Sequence, residues 1–169
     1  IWAYKSGGTS NRYFSRKHDN ILVYSKTKDY IFNPQLEKSY NRGLKPYGFK
    51  GVEEFEDEIG WYTLVKLRDV WQIDMVGRTA KERVGYDTQK PEKLLERIIL
   101  TSSNEDSVVG DFFAGSGTTG IVAEKHNRRW IMVDKGGLSL TTINKRLIDN
   151  QSKTYCIYNT DISSLNKGK

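Results

Sequence analysis

Residues 106–120 read DSVVGDFFAGSGTTG, which is a short apolar run, then a loop of small residues, then the start of a helix. The apolar residues of positions 108–113 are β-formers and predict a buried strand of a parallel sheet. The helix that follows from Thr118 is predicted to turn Ile121 and Val122 inward. A strand, a glycine turn and a helix in this order bring a ligand against backbone N–H donors, because glycine allows the close approach and the required φ angles.

A second apolar run, WIMV at residues 130–133, predicts a neighbouring buried strand that leads into Asp134. Asp134 follows Asp111 by 23 positions. A carboxylate at a strand tip, roughly 20 residues beyond a glycine loop, is placed to accept hydrogen bonds from ribose hydroxyls. The two runs therefore predict a site for a cofactor that contains a nucleoside. A glycine turn that binds nothing is the structural alternative.

The spacing Gly115-x-Gly117-x-x-Gly120 also satisfies the dinucleotide fingerprint, so an NAD-dependent oxidoreductase is a second class to consider. Asp111, however, precedes the first of these glycines by four positions. Its carboxylate would repel a pyrophosphate and attract an amino group. The charge therefore favours a zwitterionic nucleoside such as S-adenosylmethionine over NAD.

The segment from Asp111 to Thr119 reads DFFAGSGTT and resembles the cofactor motif of DNA amino-methyltransferases, commonly Asp-Pro-Phe-Ala-Gly-Ser-Gly-Thr-Thr. Phe112 stands where proline is usual. The resemblance implies that Asp111 faces the methionine amine of S-adenosylmethionine and that Asp134 binds its ribose. The loop residues implied to line the cofactor are Phe113, Ala114, Gly115, Ser116, Gly117 and Thr118.

A second motif lies upstream, where Thr88-Gln89-Lys90-Pro91 resembles the Thr-Gln-Lys-Pro motif of the same family. The resemblance implies that Gln89 and Lys90 hold the methionine carboxylate of the cofactor. Pro91 is suited to the first position of a helix. The apolar residues that follow at helical spacing predict one buried face: Leu94, Leu95, Ile98 and Ile99.

Charge is unevenly distributed along the chain, whose formal net charge is +6. Residues 1–50 carry ten Lys/Arg and three Asp/Glu, a net of +7, and the remaining 119 residues have a net of −1. Basic side chains interleaved with aromatics suit phosphate contact and base stacking. Arg12, Arg16 and Lys17 are therefore predicted DNA contacts, with a solvated surface as the alternative. The ILVY run of residues 21–24 predicts a strand.

Residues 27–75 form the least regular part of the sequence, with aromatics scattered among charges and no sustained period. They predict an irregular or helical insert rather than a sheet layer, and the acidic run of residues 51–60 predicts an exposed helical face. Trp71 is expected to be a core anchor rather than a base-stacking residue. The resemblance places the target-recognition region of the family in this insert.

Composition describes one soluble globular domain over residues 1–169, with 37% hydrophobic and 28% charged residues and no apolar run as long as a membrane span. The single Cys156 excludes an internal disulfide and a cysteine metal cluster. His18 lacks His or Cys neighbours at ligand spacing, so no metal site is predicted. A cytoplasmic location is the default expectation.

The motif order resembles the beta group of DNA amino-methyltransferases, in which the catalytic half precedes the cofactor half, here residues 86–150. That family also carries an Asp/Asn-Pro-Pro-aromatic motif that holds the target amine. The three prolines of this chain include no Pro-Pro pair. We therefore expect a fragment that has no catalytic residue of this motif and no methyltransferase activity by itself.

These observations together predict an α/β fold, a Rossmann-like methyltransferase sheet that is incomplete and carries the irregular insert. The last helix is expected to turn Leu140, Ile143, Leu147 and Ile148 inward, and residues 154–158 to form a third strand. The resemblance implies a parent function of methyl transfer from S-adenosylmethionine to an exocyclic amine of double-stranded DNA, and the branch that the sequence resembles favours adenine N6 over cytosine N4. It also makes a restriction subunit a candidate partner. A non-catalytic DNA-binding module, such as a degenerate methyltransferase subunit, is the alternative.

Overall fold

The computed structural model describes residues 1–159, which contain three small sheets and three α-helices. In chain order the elements are β1 (Trp2–Ala3), β2 (His18–Asp19), β3 (Leu36–Tyr40), β4 (Phe55–Glu56), β5 (Trp61–Lys66), β6 (Trp71–Gln72), α1 (Glu92–Ser102), β7 (Val108–Asp111), α2 (Thr118–Lys125), β8 (Arg129–Met132) and α3 (Gly137–Asp149). Strands and helices alternate in the second half of the chain, which confirms the predicted α/β class.

The strands on either side of the glycine loop, β7 and β8, pair in parallel and are connected through α2. The predicted inner face of α2 is confirmed, since Ile121 and Val122 are 3% and 1% exposed. Val122 and Ala123 pack with Ile99 of α1 and with Trp130 of β8. This packing fixes the point at which the glycine loop leaves β7.

The prediction that residues 108–113 form one buried strand is wrong in two respects, because the strand is shorter and none of its residues is fully buried. β7 ends at Asp111, and Phe112 and Phe113 are 66% and 91% exposed. Val108 and Ile131 are also more than half exposed. Side chains alternate between the two faces of a sheet, and α2 covers the face that carries Val109 and Trp130. Val108 and Ile131 lie on the opposite face and are therefore exposed.

The helices α1 and α3 form where their patterns predict, but only part of each predicted face is buried. Pro91 directly precedes α1, and Leu94 and Ile99 of that helix are buried. In α3, Ile143 and Leu147 are buried. Two other residues of α3 that were expected to face inward are 46% and 69% exposed: Leu140 and Ile148. The buried stripe of α3 is completed by polar residues instead, Ser139 and Arg146.

The N-terminal sheet has β1 in the middle, antiparallel to β2 and parallel to β6. Trp2 is buried with Ile73 and Leu94, and Trp71 packs against this cluster, which confirms its predicted role as a core anchor. The predicted strand at residues 21–24 is wrong. Within the described residues these positions pair with no strand, and their apolar side chains from Leu22 onward are 74% exposed or more.

The prediction of an irregular or helical insert is wrong for much of residues 27–75. β3, β5 and β4 form a three-stranded antiparallel sheet in that order, and the acidic run contributes β4 and a turn instead of a helix. Cross-strand aromatic contacts provide the reason, because Tyr62 contacts both Tyr40 and Phe55 with ring centres 5.7 and 5.6 Å apart. Asp57 closes the turn by accepting the backbone N–H of Ile59 at 3.0 Å.

The insert is joined to residues 86–150 at the C-terminal end of α1. The side-chain amide of Asn33 donates to the carbonyls of Leu100 and Ser103 at 3.1 and 2.9 Å, and its backbone N–H donates to Thr101 at 2.7 Å. Asn33 thus satisfies carbonyls that have no partner inside the helix.

The strand predicted at residues 154–158 is absent; this segment has no regular structure, although Tyr155 packs against Trp130. Among the described residues, none of the helices has the length and apolarity to span a bilayer.

Candidate cofactor site

The glycine loop between β7 and α2 depends on glycine for its backbone and for its packing. Gly115 and Gly117 have φ angles of +52° and +74°, which side chains other than hydrogen disfavour. A Cβ at Gly117 would lie 2.7 Å from Cγ1 of Ile143. A Cβ at Gly120 would lie 2.5 Å from Met132. The third glycine of the fingerprint is therefore explained by close packing of α2 on β8, without a pyrophosphate.

Asp111 ends β7 and is fixed by the loop that follows it. One carboxylate oxygen accepts the backbone N–H of Phe113 at 3.0 Å, and the other accepts the hydroxyl of Thr119 at 2.5 Å. The side chain is half-buried. Asp111 therefore has a defined orientation at the C-terminal edge of the sheet.

Asp134 lies two residues beyond β8 and joins two loops through its two oxygens. Oδ1 accepts the N–H of Gly136 and Oδ2 accepts the N–H of Gly115, both at 2.8 Å. These two hydrogen bonds hold the pKa of the Asp134 carboxyl below its usual value, and the bond from Gly136 has the larger effect. The structure thus places two carboxylates, Asp111 and Asp134, on either side of the glycine loop at the ends of neighbouring parallel strands.

The side chains of the loop itself divide into buried and exposed groups. Ala114, Ser116 and Thr118 are 7%, 5% and 4% exposed and point into the protein. Phe113 is 91% exposed. Of the predicted loop residues, Phe113 therefore has an exposed aromatic ring, whereas the N–H groups of Ala114 and Gly117 donate to the carbonyls of Val133 and Ala114 at 3.0 and 2.7 Å.

The loop carbonyls are held by α3, through residues that the sequence analysis missed. The Ser139 hydroxyl donates to the Gly115 carbonyl at 2.6 Å, and Arg146 donates to the Ser116 carbonyl at 3.0 Å. Arg146 also donates to Glu92 at 2.9 Å. Burial lowers the pKa of the Arg146 guanidinium, and the charge of Glu92 opposes that shift. The available signal was a pair of polar residues seven positions apart on the apolar stripe of a predicted helix.

The structure places the Lys90 backbone beside the glycine loop but directs neither the Gln89 nor the Lys90 side chain into it. The buried Gln89 amide accepts from the N–H of Val84 at 2.9 Å and donates to the carbonyl of Glu82 at 2.6 Å. The Lys90 ammonium lies 4.9 Å from the ring centre of Trp2. The Lys90 carbonyl accepts the Thr118 hydroxyl at 3.3 Å.

The three predicted DNA contacts differ in how far they are used inside the protein. Lys17 donates to the carbonyls of Ser6, Gly7 and Gly8 at 3.0, 2.7 and 2.8 Å, so it stabilises its own loop. Arg16 forms an exposed ion pair with Asp19 at 2.7 Å. Arg12 is exposed. Arg12 and Arg16 therefore have solvent-facing charge, whereas the Lys17 ammonium is occupied.

In the part of the chain that the structure describes, no three His, Cys, Asp or Glu side chains are grouped as a metal site requires.

Comparison with known proteins identifies the family. A model described as DNA methylase matches residues 1–145, and the chain belongs to this family. Two similar proteins are the type II methyltransferase M2.LlaDCHI of Lactococcus lactis subsp. cremoris, 34% identical over 146 residues, and the DNA adenine methyltransferase YhdJ of Escherichia coli K12, 32% identical over 142 residues. These alignments cover 86% and 79% of this chain but 47% and 46% of the relatives, so the chain spans about half of their length.

A solved structure supports the fold. The crystal structure of the M1.HpyAVI–SAM complex superposes with a TM-score of 0.52 at 24% identity, covering 86% of this chain and 59% of that one. The shared fold is that of an S-adenosylmethionine-dependent methyltransferase, and the small, open sheets of this chain are consistent with the predicted incomplete sheet.

Proposed function

We propose that this chain provides the S-adenosylmethionine site of a DNA amino-methyltransferase. The observation that carries the proposal is the pair of carboxylates, Asp111 and Asp134, that flank a glycine loop with positive φ angles at Gly115 and Gly117. Carboxylates accept hydrogen bonds from ribose hydroxyls and attract an ammonium, and they repel a pyrophosphate. The two carboxylate acceptors therefore fit the ribose and the ammonium of S-adenosylmethionine and disfavour the pyrophosphate of NAD.

The proposed roles follow from where each group lies. Asp134 would bind the ribose hydroxyls, and Asp111 would attract the methionine amine. Phe113 would contact the cofactor with its exposed ring, and the backbone of residues 114–118 would line the loop. Gln89 and Lys90 would hold the methionine carboxylate after giving up their present contacts with Glu82, Val84 and Trp2. The bound cofactor supplies an electrophilic methyl group on sulfur.

Double-stranded DNA is the proposed substrate, with adenine N6 as the accepting amine. The net charge of +7 in residues 1–50 supports a polyanion partner, and Arg12 and Arg16 carry solvent-facing charge. Lys17 would support this surface by ordering residues 6–8. Residues 27–75 would form the target-recognition region. The proposed location is the cytoplasm, and a restriction enzyme of the same specificity is a candidate partner.

We further propose that this chain has no methyltransferase activity by itself. Extruding a base and holding its amine requires a dedicated pocket, and this sequence lacks the Asp/Asn-Pro-Pro-aromatic motif that its family uses for that purpose.

Calorimetric titration with S-adenosylmethionine tests the proposal, with NAD as the comparison ligand. We expect binding of S-adenosylmethionine alone, and a loss of that binding in Asp111→Ala and Asp134→Ala. Lys145→Ala, on the exposed side of α3, is the matched control and should bind as the wild type does. Binding of NAD, or wild-type affinity in both aspartate variants, would contradict the assignment.

A further inference from the structure

A buried arginine on α3 connects the two segments that the proposed function assigns to the cofactor. Arg146 is 6% exposed. Its Nη1 donates to the Ser116 carbonyl at 3.0 Å and to the Thr118 hydroxyl oxygen at 2.9 Å. Its Nη2 donates to Glu92 Oε1 at 2.9 Å. One guanidinium therefore contacts the glycine loop and the first residue of α1, which directly follows the Thr88–Pro91 motif.

The contacts close into a ring. The Thr118 hydroxyl that accepts from Arg146 donates in turn to the Lys90 carbonyl at 3.3 Å. Lys90 is two residues from Glu92, which returns to Arg146. The second Glu92 oxygen is paired with the Lys125 ammonium at 2.6 Å, so the carboxylate is fixed from both sides. The two segments consequently have one defined separation.

The burial of the Arg146 guanidinium has an electrostatic cost, which bears on the role of this residue. Removing a guanidinium from water is unfavourable, and an apolar side chain of similar volume commonly stabilises such a position as well or better. A planar fork of N–H donors, however, fixes the relative positions of several oxygen atoms at once. The arrangement is therefore better suited to setting geometry than to adding stability.

A second buried arginine provides a contrast within the same chain. Arg128 is 9% exposed, and its guanidinium donates to the carbonyls of Ser103 and His126 at 2.8 and 2.6 Å. These carbonyls lie at the C-terminal ends of α1 and α2. Arg128 therefore resembles Arg146 in burial and in hydrogen bonding, but it contacts neither the glycine loop nor the Thr88–Pro91 motif.

We propose that Arg146 is a positioning residue, which sets the separation between the glycine loop and the Thr88–Pro91 motif so that one cofactor molecule meets both. It acts through Ser116, Thr118 and Glu92 and does not touch the cofactor. The inference rests on the proposed function for its ligand, but the geometric claim concerns the ligand-free chain and is measurable there.

The experiment compares Arg146→Met with Arg128→Met. Hydrogen–deuterium exchange of the ligand-free proteins reports on residues 86–92 and 113–119, and calorimetry measures affinity for S-adenosylmethionine. We expect Arg146→Met to speed exchange in both segments about ten-fold and to weaken the affinity about ten-fold or more. Arg128→Met should lower the melting temperature while leaving exchange in these segments and the affinity as in the wild type.

Arg146→Lys and Glu92→Gln keep the test decisive if Arg146→Met does not fold. Lysine retains the charge without the planar fork, so we expect intermediate exchange in both segments and an intermediate affinity. Unchanged exchange in these two variants, or the same acceleration in Arg128→Met, would overturn the positioning role. A wild-type chain that fails to bind S-adenosylmethionine would count against the proposed function, and the exchange data would still decide whether Arg146 joins the two segments.

Discussion

Two regions of this chain are stabilised in different ways: the proposed cofactor half, residues 86–150, and the insert, residues 27–75. The cofactor half has buried helix faces and a loop whose carbonyls are held by α3 side chains. The insert contains one buried polar side chain next to its sheet, Asn41, which is 3% exposed. The sheet relies mainly on cross-strand aromatic contacts and on the hydrogen bonds of Asp57. One region therefore depends on close packing, whereas the other depends on contacts that water can reach.

The strongest test of the packed region is Gly117→Ala. The new methyl group would lie 2.7 Å from Ile143 and would sit at a φ of +74°. Left-handed strain and overpacking together predict a loss of about 2–5 kcal/mol in the free energy of unfolding. Chemical denaturation measures this loss, and S-adenosylmethionine binding should disappear with it. Gly77→Ala, where a Cβ meets nothing within 4 Å, should unfold like the wild type; equal stability of the two variants would remove the packing argument.

The corresponding test of the insert is Asp57→Asn combined with a pH titration. Lys38, at 2.6 Å, is the largest cause of the lowered Asp57 pKa, and the N–H groups of Ile59 and Gly60 and the Tyr40 hydroxyl add to it. A carboxyl whose pKa is lowered by folding stabilises the fold above its unfolded pKa of about 4. This contribution is lost as the pH falls below that value toward the folded pKa.

Hydrogen exchange of residues 36–66 at pH values between about 7 and 3 separates the insert from the rest of the chain. We expect the protection factors of the wild-type insert, which correct for the intrinsic slowing of exchange at low pH, to fall on acidification, and those of the Asn variant to be low throughout. Glu58→Gln, an exposed neighbour, serves as the control. An Asn variant with the same pH dependence as the wild type would show that Asp57 does not determine the stability of this sheet.

The contact between the two regions is tested by Asn33→Ala. The variant loses the side-chain hydrogen bonds to the carbonyls of Leu100 and Ser103 at the end of α1. We expect a loss of about 1–3 kcal/mol in the free energy of unfolding, because these carbonyls lose their partner. Thermal unfolding measures it against Asn11→Ala, which changes an exposed loop residue. If the two variants have the same melting temperature, the insert and α1 are not energetically connected through Asn33.

The smallest expected effect on stability is that of Arg16→Ala. The Arg16 side chain is 71% exposed in its ion pair with Asp19, so the loss of this pair should change the free energy of unfolding by less than about 1 kcal/mol. Binding to duplex DNA should nevertheless weaken, and the slope of log affinity against log salt should fall by about one. Fluorescence anisotropy at several salt concentrations measures this slope. The control is Arg97→Ala, because Arg97 lies over the Trp71 ring, outside the proposed DNA surface. An unchanged slope would exclude Arg16 from the DNA surface.

The sequence was sufficient to predict the cofactor half in outline. Gly115, Gly117 and the two aspartates are local signals, because a positive φ and a strand-end carboxylate follow from residue type and spacing. The parallel pair β7–β8 flanks the predicted loop, although β7 is shorter than predicted, and the three helices form where their apolar spacing predicts them. The family relation agrees with the motifs from which it was inferred.

Tertiary structure alone decided which side chains support the site and which strands pair. Arg146 and Ser139 read as ordinary helix residues, and their contacts with loop carbonyls 30 and 24 residues away depend on how α3 packs. The insert sheet was missed because pairing of Tyr40 with Tyr62 is non-local, whereas the ILVY run has strand propensity without a partner in the described chain. Local conformational preferences are encoded within a few residues, but hydrogen bonds and pairings between distant segments exist only once the fold brings them together.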